Sequence, residues 1–478
     1  MTKIPINDII LYVFKAVQRC RQDINSIGGL LLCEGLVLLW NSVLSHRQDF
    51  FVSMEEEAMY TLLKNAICFF DGKSDSRDVY IKDGKLFDEA SLFVPMTNED
   101  FSVIENCIVT PGFLDVHVHL REPGFSYKET IFSGTRASAK GGYTAVCSMP
   151  NLNPVPDCEE TLKAQTDIIE KDACISVIPY GAITKGEKGE ELSDMEAMAP
   201  IVAAFSDDGR GVQSNDMMRR AMLKAKSLGK IIAAHCEDNS LLYGGYINAC
   251  DYAKEHAHAG ISNESEWKQI ERDIALVRET GCDYHVCHIS TKESVDLIRK
   301  AKAEGLPVTC ETAPHYLILD DTFLEEDARF KMNPPLRSKD DRKALIEGVL
   351  DGTIDMIATD HAPHSDEEKS RGLKSSPMGI TGIETAFPIL YTKLIEPGII
   401  PLERILEMMV TAPRKRFGIE ETPDTFSVIK TGCKDRIDAK SFVSMGHSTP
   451  FDGEEVNAQC IMTVYKGRTV WQTNTTEK

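Results

Sequence analysis

The chain has 478 residues, of which 42% are apolar, 27% charged and 7% aromatic, a globular mixture rather than a fibrous or low-complexity one. Its 53 Lys and Arg stand against 74 Asp and Glu, and the formal charge of −21 argues against a phosphate-tracking nucleic-acid surface or a polybasic membrane patch. The 14 cysteines lie singly, with no C-x-x-C pair, which reads as reduced thiols in a cytoplasmic protein.

Residues 1–53 are rich in Leu and Ile and poor in turn signals. Their apolar stretch from Ile27 to Val43 is interrupted by Glu34 and is too short to span a bilayer, and no signal peptide is legible. The expectation is an extension of doubtful status, either an upstream mistranslation with the start at Met54 or Met59, or an amphipathic arm that contacts a partner. From Tyr60 the text changes to short β-type runs, with Asp83-Gly84 as a hairpin signal. Similar runs return at Cys460–Tyr465 and Arg468–Trp471 around Lys466-Gly467, so residues 54–108 and 420–478 are expected to build one small β-sandwich domain.

Between them, over residues 109–419, apolar runs of strand length alternate with amphipathic stretches. There are eight: Leu114–Leu120, Thr144–Pro150, Ile175–Ile183, Ile201–Asp208, Ile231–Cys236, Tyr284–Ser290, Pro307–Thr312 and Ile354–Asp360. Five follow a helical stretch that ends in a glycine suited to a left-handed cap: Gly142, Gly229, Gly281, Gly305 and Gly352. Repeated helix, glycine and buried strand mean a parallel sheet covered on both faces, and eight units predict a closed (β/α)8 barrel, with an open doubly wound sheet as the alternative.

In a barrel the strand C-termini meet at one mouth. Strand one ends in Asp115-Val116-His117-Val118-His119, strand four in Asp207-Asp208, strand five in His235, strand six in His288 and strand eight in Asp360. His117 and His119 are two apart, so on a strand both point to one face. Four imidazoles and at least two carboxylates at one place predict a metal site, because the same groups buried without compensation would be costly. The N and O donor set suits Zn²⁺ best, with Mn²⁺ or Co²⁺ as substitutes, and six ligands fit two ions about 3.5–4 Å apart that share a carboxylate. His256 and His258 also make an H-x-H, but in a polar helical or loop segment where they are not expected to share a face. His285 and His315 read as packing or supporting groups, and neither Gly141-Gly142 nor Gly379-Ile380-Thr381-Gly382 has phosphate-loop grammar.

From about residue 60 onward the text resembles the class I dihydroorotases of the amidohydrolase superfamily. The matching motifs are Pro111 to Gly124 (PGFLDVHVHLREPG), Ser148-Met149-Pro150-Asn151, Phe205 to Gly209, Ala234 to Asp238, His288 to Thr291, Lys331 to Arg337 (KMNPPLR) and Thr359 to His364 (TDHAPH). The resemblance implies reversible cyclisation of N-carbamoyl-L-aspartate to L-dihydroorotate in pyrimidine (UMP) synthesis, by a metal-bound hydroxide. It implies metal ligation by His117, His119, His235, His288 and Asp360, with Asp208 bridging and Asp207 in reserve. Arg121, Asn151 and His364 then bind the substrate carboxylate, Asn333 contacts the pyrimidine ring, and Asp360 shuttles the catalytic proton. Hydantoinases, dihydropyrimidinases and allantoinases are the nearest alternatives, but they commonly bridge their metals with a modified lysine, and Ser206-Asp207-Asp208-Gly209 contains none. A catalytically dead scaffold is disfavoured because all six ligand positions are filled. A homodimer is expected from the resemblance, and association with aspartate transcarbamoylase is left open. The run Asp424–Lys440 matches only loosely and leaves the strand pairing of the small domain undetermined.

Overall fold

The computed structural model describes residues 60–88 and 101–473, so the expectations for residues 1–53 and for 54–59 of the small domain lie outside the described residues. Each of the eight apolar runs contains a strand. These are Phe113–Val118, Tyr143–Ser148, Ser176–Pro179 continued by Gly181–Ala182, Phe205–Ser206, Ile232–Ala234, Tyr284–Val286, Val308–Thr312 and Met356–Ile357. Strands that follow one another in the chain pair in parallel. The ring closes where the eighth strand's continuation returns to the first: Val118 bridges His361 in parallel, and the His119 N–H donates to the His361 carbonyl at 2.8 Å. That closure excludes the open sheet. The five stop glycines all have left-handed φ, between +63° and +87°, as the sequence pattern requires.

The barrel has two apolar compartments. Its interior is filled by Leu114, Val116, Cys147, Met149, Tyr180, Ala233, Met356 and Ala358 among others, and Phe417 packs edge-on to Tyr180 and His285. The second, larger compartment lies between the strands and helices such as Asn215–Ser227, Glu264–Thr280 and Lys292–Ala303, whose buried faces carry residues like Met218, Ile270 and Ile298. Ser214 and Thr291 cap two of these helices by accepting from the backbone N–H three residues on. A polar seam is set inside this apolar frame. Asp115, fully buried on the first strand, accepts from the backbone N–H groups of His117 (3.0 Å) and Thr359 (3.1 Å) and from the Thr359 hydroxyl (2.6 Å). It therefore ties the first strand to the eighth just below the mouth.

The terminal segments form one eight-stranded mixed sheet in the order Arg468–Gln472, Glu455–Tyr465, Phe426–Arg436, Cys107–Thr110, Tyr60–Phe70, Lys73–Lys82, Lys85–Phe87, with Phe101–Glu105 beside Tyr60–Phe70. The loosely matching run supplies the strand that joins the two halves, since Ser427–Lys430 pairs antiparallel with Cys107–Thr110. Both expected hairpins form, with positive φ at Asp83-Gly84 and Lys466-Gly467, and Asp71-Gly72 makes a third of the same kind. The sheet curls around its own core of Leu63, Val79, Val109, Val428 and Val464 until its edge hairpins touch. A Cβ on Gly84 would lie 2.0 Å from the Gly467 carbonyl oxygen, so the approach requires glycine. Among the described residues this layer is a single curled sheet, and no helix is long and apolar enough to cross a membrane.

The seam gives a first test. Asp115→Ala leaves three donors without their acceptor, and a loss of about 3 kcal/mol is expected, read as a lower midpoint in chemical denaturation. An unchanged midpoint would mean that the backbone ladder alone holds the ring shut.

Candidate metal centre and substrate pocket

Strand geometry delivers the candidate residues to one point. His117 and His119 flank Val118 at the end of the first strand, and the others stand one to three residues beyond the last ladder positions of strands four, five, six and eight. Asp208 lies at the centre. Its Oδ1 is 3.4 Å from His117 Nε2, 3.7 Å from His235 Nδ1 and 3.6 Å from His288 Nε2, and its Oδ2 is 3.5 Å from His119 Nε2. Asp360 Oδ1 sits 3.1 Å from His119 Nε2 and 3.7 Å from His117 Nε2. His235 Nδ1 and His288 Nε2 face each other at 3.0 Å. Asp207 turns the other way and accepts from the N–H groups of Ile183 (2.8 Å) and Thr184 (3.0 Å) and from the Thr184 hydroxyl, which leaves it no part in the cluster.

The residues fit a cation. His117 Nε2 and Asp208 Oδ1 are buried with no hydrogen-bond partner, and two ligand groups, His117–His119–Asp360 and His117–Asp208–His288, each bring one donor atom per residue within 4.8 Å of one another. The tautomers agree. His117 Nδ1–H donates to Glu311 at 2.8 Å and His119 Nδ1–H to Asn151 Oδ1 at 2.8 Å, so both Nε2 lone pairs face inward. Burial alone would raise both carboxyls; positive charge in the ring of imidazoles, chiefly at His117 for Asp208, lowers the latter well below the usual range, and a cation held between the inward lone pairs would supply the same charge. For Asp360 the contacts with His119 and His117 likewise lower the carboxyl.

A cavity of about 230 Å³ opens on this cluster, and Arg121, Asn151, Asn333 and His364 all line it. Arg121 Nε donates to the Pro363 carbonyl at 3.2 Å, which aims the guanidinium along the wall, and its Nη2 lies 3.4 Å from His364 Nε2. His364 Nε2–H donates to the Met378 carbonyl at 2.9 Å, and Nδ1 accepts from Lys128 Nζ at 3.2 Å. Burial, then the cations of Arg121 and Lys128, push its imidazole down to about 3, so it is neutral here. Gly379 has φ +131° and lines the pocket; a Cβ there would lie 2.6 Å from the Ala362 carbonyl. The glycine segment that lacks phosphate-loop grammar thus has a role as pocket wall.

Other candidates fall elsewhere. His256 and His258 do lie together, contrary to expectation: Ala257 has φ +58°, and the two rings stack 6.3 Å apart against Tyr252. His258 uses both ring nitrogens, on the Tyr246 hydroxyl and on Glu326. His285 Nε2 bonds Glu311 at 3.0 Å, and His315 is buried against Tyr316, with its imidazole lowered to about 4 by burial. Sequence reasoning misses Glu311, Lys128 and Glu237. Each is an ordinary charged residue in the text, and only the fold shows what it touches.

Fold and site together define a class: closed parallel barrels that carry a histidine–carboxylate cation centre at the strand C-termini. A family model described as Dihydro-orotase-like matches residues 106–294. Curated relatives named dihydroorotase from Fusobacterium nucleatum and Bacillus cereus are 48% and 46% identical over 414 and 413 residues, covering 85% and 84% of this chain and 97% and 96% of theirs. The chain belongs to the dihydroorotase family. Among solved structures, an L-hydantoinase (dihydropyrimidinase) from Arthrobacter aurescens matches with TM-score 0.74 at 23% identity, over 86% of this chain and 96% of that one. A D-hydantoinase (dihydropyrimidinase) from Thermus sp. matches with TM-score 0.71 at 24% identity, over 86% and 95%. At such identity the likeness concerns the fold.

Glu311 offers a test of the centre. It accepts from His117 Nδ1–H, from the His288 backbone N–H at 3.2 Å and from His285, all within the barrel. Glu311→Gln keeps the volume but loses an acceptor, and metal affinity measured by chelator competition should fall about 10–100-fold with the circular dichroism unchanged. Undiminished affinity would show that packing alone orients His117.

Proposed function

We propose that the protein is a metal-dependent hydrolase of cyclic amides, specifically a class I dihydroorotase that interconverts N-carbamoyl-L-aspartate and L-dihydroorotate in de novo pyrimidine synthesis. One observation carries the reading: an arginine fork and an imidazole–carboxylate cluster line a single cavity of about 230 Å³. His117, His119, Asp208, His235, His288 and Asp360 would hold the metal, with Zn²⁺ the ion that best suits the donors and two ions the best match to their number. Bound there, the ions supply Lewis acidity and hydroxide near neutral pH.

The chain's own residues do the rest. Arg121 grips the substrate carboxylate with two N–H groups, and Asn151 and His364 add directional contacts from either side. The ring amide carbonyl then lies at the mouth of the cluster, with Asn333 against the ring. Asp360 takes the proton of the attacking water at its carboxylate and delivers it to the ring nitrogen as the C–N bond breaks; cyclisation runs the same transfers in reverse. In this reading residues 109–419 are the catalytic barrel, residues 54–108 and 420–478, whose described strands form the curled sheet, are its small sandwich-like domain, and the protein works as a cytoplasmic homodimer.

The test is hydrolysis of L-dihydroorotate beside dihydrouracil, which lacks the carboxylate. The zinc-loaded protein should act on the first alone, and Asp360→Asn should lower turnover about 10²–10⁴-fold with the fold intact. Arg121→Met should mainly raise KM. Preference for dihydrouracil would move the protein to the hydantoinase branch, and a near-normal rate in Asp360→Asn with full metal would remove that residue from proton transfer.

A further inference from the structure

The fold treats the two amide atoms of Asn333 differently. Nδ2–H donates to Glu237 Oε1 at 3.0 Å, whereas Oδ1 is buried with no hydrogen-bond partner, and Asn333 lines the pocket. A carboxylate only accepts, so beside Glu237 one orientation of the amide is allowed, with its NH₂ group toward the carboxylate. Because the amide is planar, fixing Nδ2 on Glu237 turns Oδ1 away from it; Oδ1 is sealed from water-sized atoms at the pocket wall, so a small shift of the Asn333 side chain on ligand entry would present this unpartnered acceptor to a donor and relieve its standing cost.

We infer that Glu237 is a positioning residue that fixes Asn333 as a hydrogen-bond acceptor, so that the pocket selects a substrate presenting an N–H at that point rather than a carbonyl. The inference deepens the dihydroorotase reading and rests on it. The cyclic substrate carries ring N–H groups, the open-chain partner carries ureido N–H groups, and either satisfies the acceptor. Glu237 acts through Asn333 and does not line the cavity. Its other oxygen lies 3.6 Å from His235 Nε2, so support of that imidazole is the competing role, and the two roles separate experimentally.

The experiment is a reciprocal exchange, read on wild type, Glu237→Gln, Asn333→Asp and the double variant, with L-dihydroorotate as substrate and metal content measured for each. In Glu237→Gln the amide of Asn333 is free to flip. In Asn333→Asp two carboxylates face each other. In the double variant the introduced glutamine amide donates to one oxygen of the introduced aspartate and leaves the other oxygen as the pocket acceptor. Each single variant should raise KM about 10-fold with kcat within about 3-fold, the signature of lost binding that is uniform in ground and transition states. The double variant should recover KM to within about 3-fold of wild type, a coupling that independent effects would not give. Unchanged KM in Glu237→Gln, additive losses in the double variant, or loss of metal and kcat in Glu237→Gln would overturn the inference. Failure of the wild type on L-dihydroorotate would instead overturn the functional reading itself, before any substitution is compared.

Discussion

A buried carboxylate ringed by imidazoles governs the mouth of this barrel. Asp208 is 3% exposed, and four imidazole nitrogens stand within 3.7 Å of its two oxygens. A charge so far from water is tolerable only where opposite charge is close and fixed. The imidazoles and the second carboxylate brought in from strands one, five, six and eight would meet that condition by holding a cation against Asp208, and they can share a point only if the ring is closed. The Asp115–Thr359 seam closes it where the first and eighth strands must agree in height, and a slip of the seam would carry His117, His119 and Asp360 apart together. Fold and site are thus one constraint.

The pocket lining combines the guanidinium of Arg121 with the carboxylates of Asp360 and Asp208, and Lys128 stands behind the neutral His364. A ligand whose carboxylate meets Arg121 while its amide faces the candidate cation centre would be held in one direction, and a ligand without the carboxylate would lose that orientation. Lys128 matters here for a geometric reason. Its ammonium donates to His364 Nδ1, which leaves the proton of the neutral ring on Nε2, the side facing Arg121 and the Met378 carbonyl. The same device recurs at Glu311 with His117 and at Asn151 with His119: a second group decides which nitrogen carries the proton.

The barrel is legible in the sequence because two signals coincide at each of several units, a near-continuous apolar strand and a left-handed glycine just before it, as at Gly281 and Tyr284. The convergence of the candidate ligands is legible because imidazoles and carboxylates at strand ends have few bland explanations as a set. The choice between Asp207 and Asp208 is not legible from periodicity, since the chain leaves the strand at Ser206; it depends on which side chain the Thr184 N–H and hydroxyl capture. Glu311 is hidden for a different reason. A single glutamate inside the strand Val308–Thr312 carries no spacing signal, and its partners His117 and His285 come from other strands. The stacking of His256 on His258 escapes a face argument because a left-handed alanine breaks the periodicity on which such arguments depend.

Three residues of the site carry positive φ without being glycine: Arg121 at +61°, His288 at +36° and Asp360 at +47°. Each such conformation costs on the order of 1–3 kcal/mol and persists only where its surroundings overdetermine it. The apolar runs in the text continue to Ser290 and Asp360, yet the ladders stop at Val286 and Ile357. Beyond those points the backbone gives up strand pairing and turns its side chains toward a common centre. His285 and Cys287 face the barrel interior, so a regular strand would turn His288 outward; leaving the ladder after Val286 lets His288 aim at His235 and Asp208 while Ile289 packs in the outer core. The strain is therefore a consequence of convergence. Strands diverge around a ring, and only where regular pairing ends can residues from five of them reach one point.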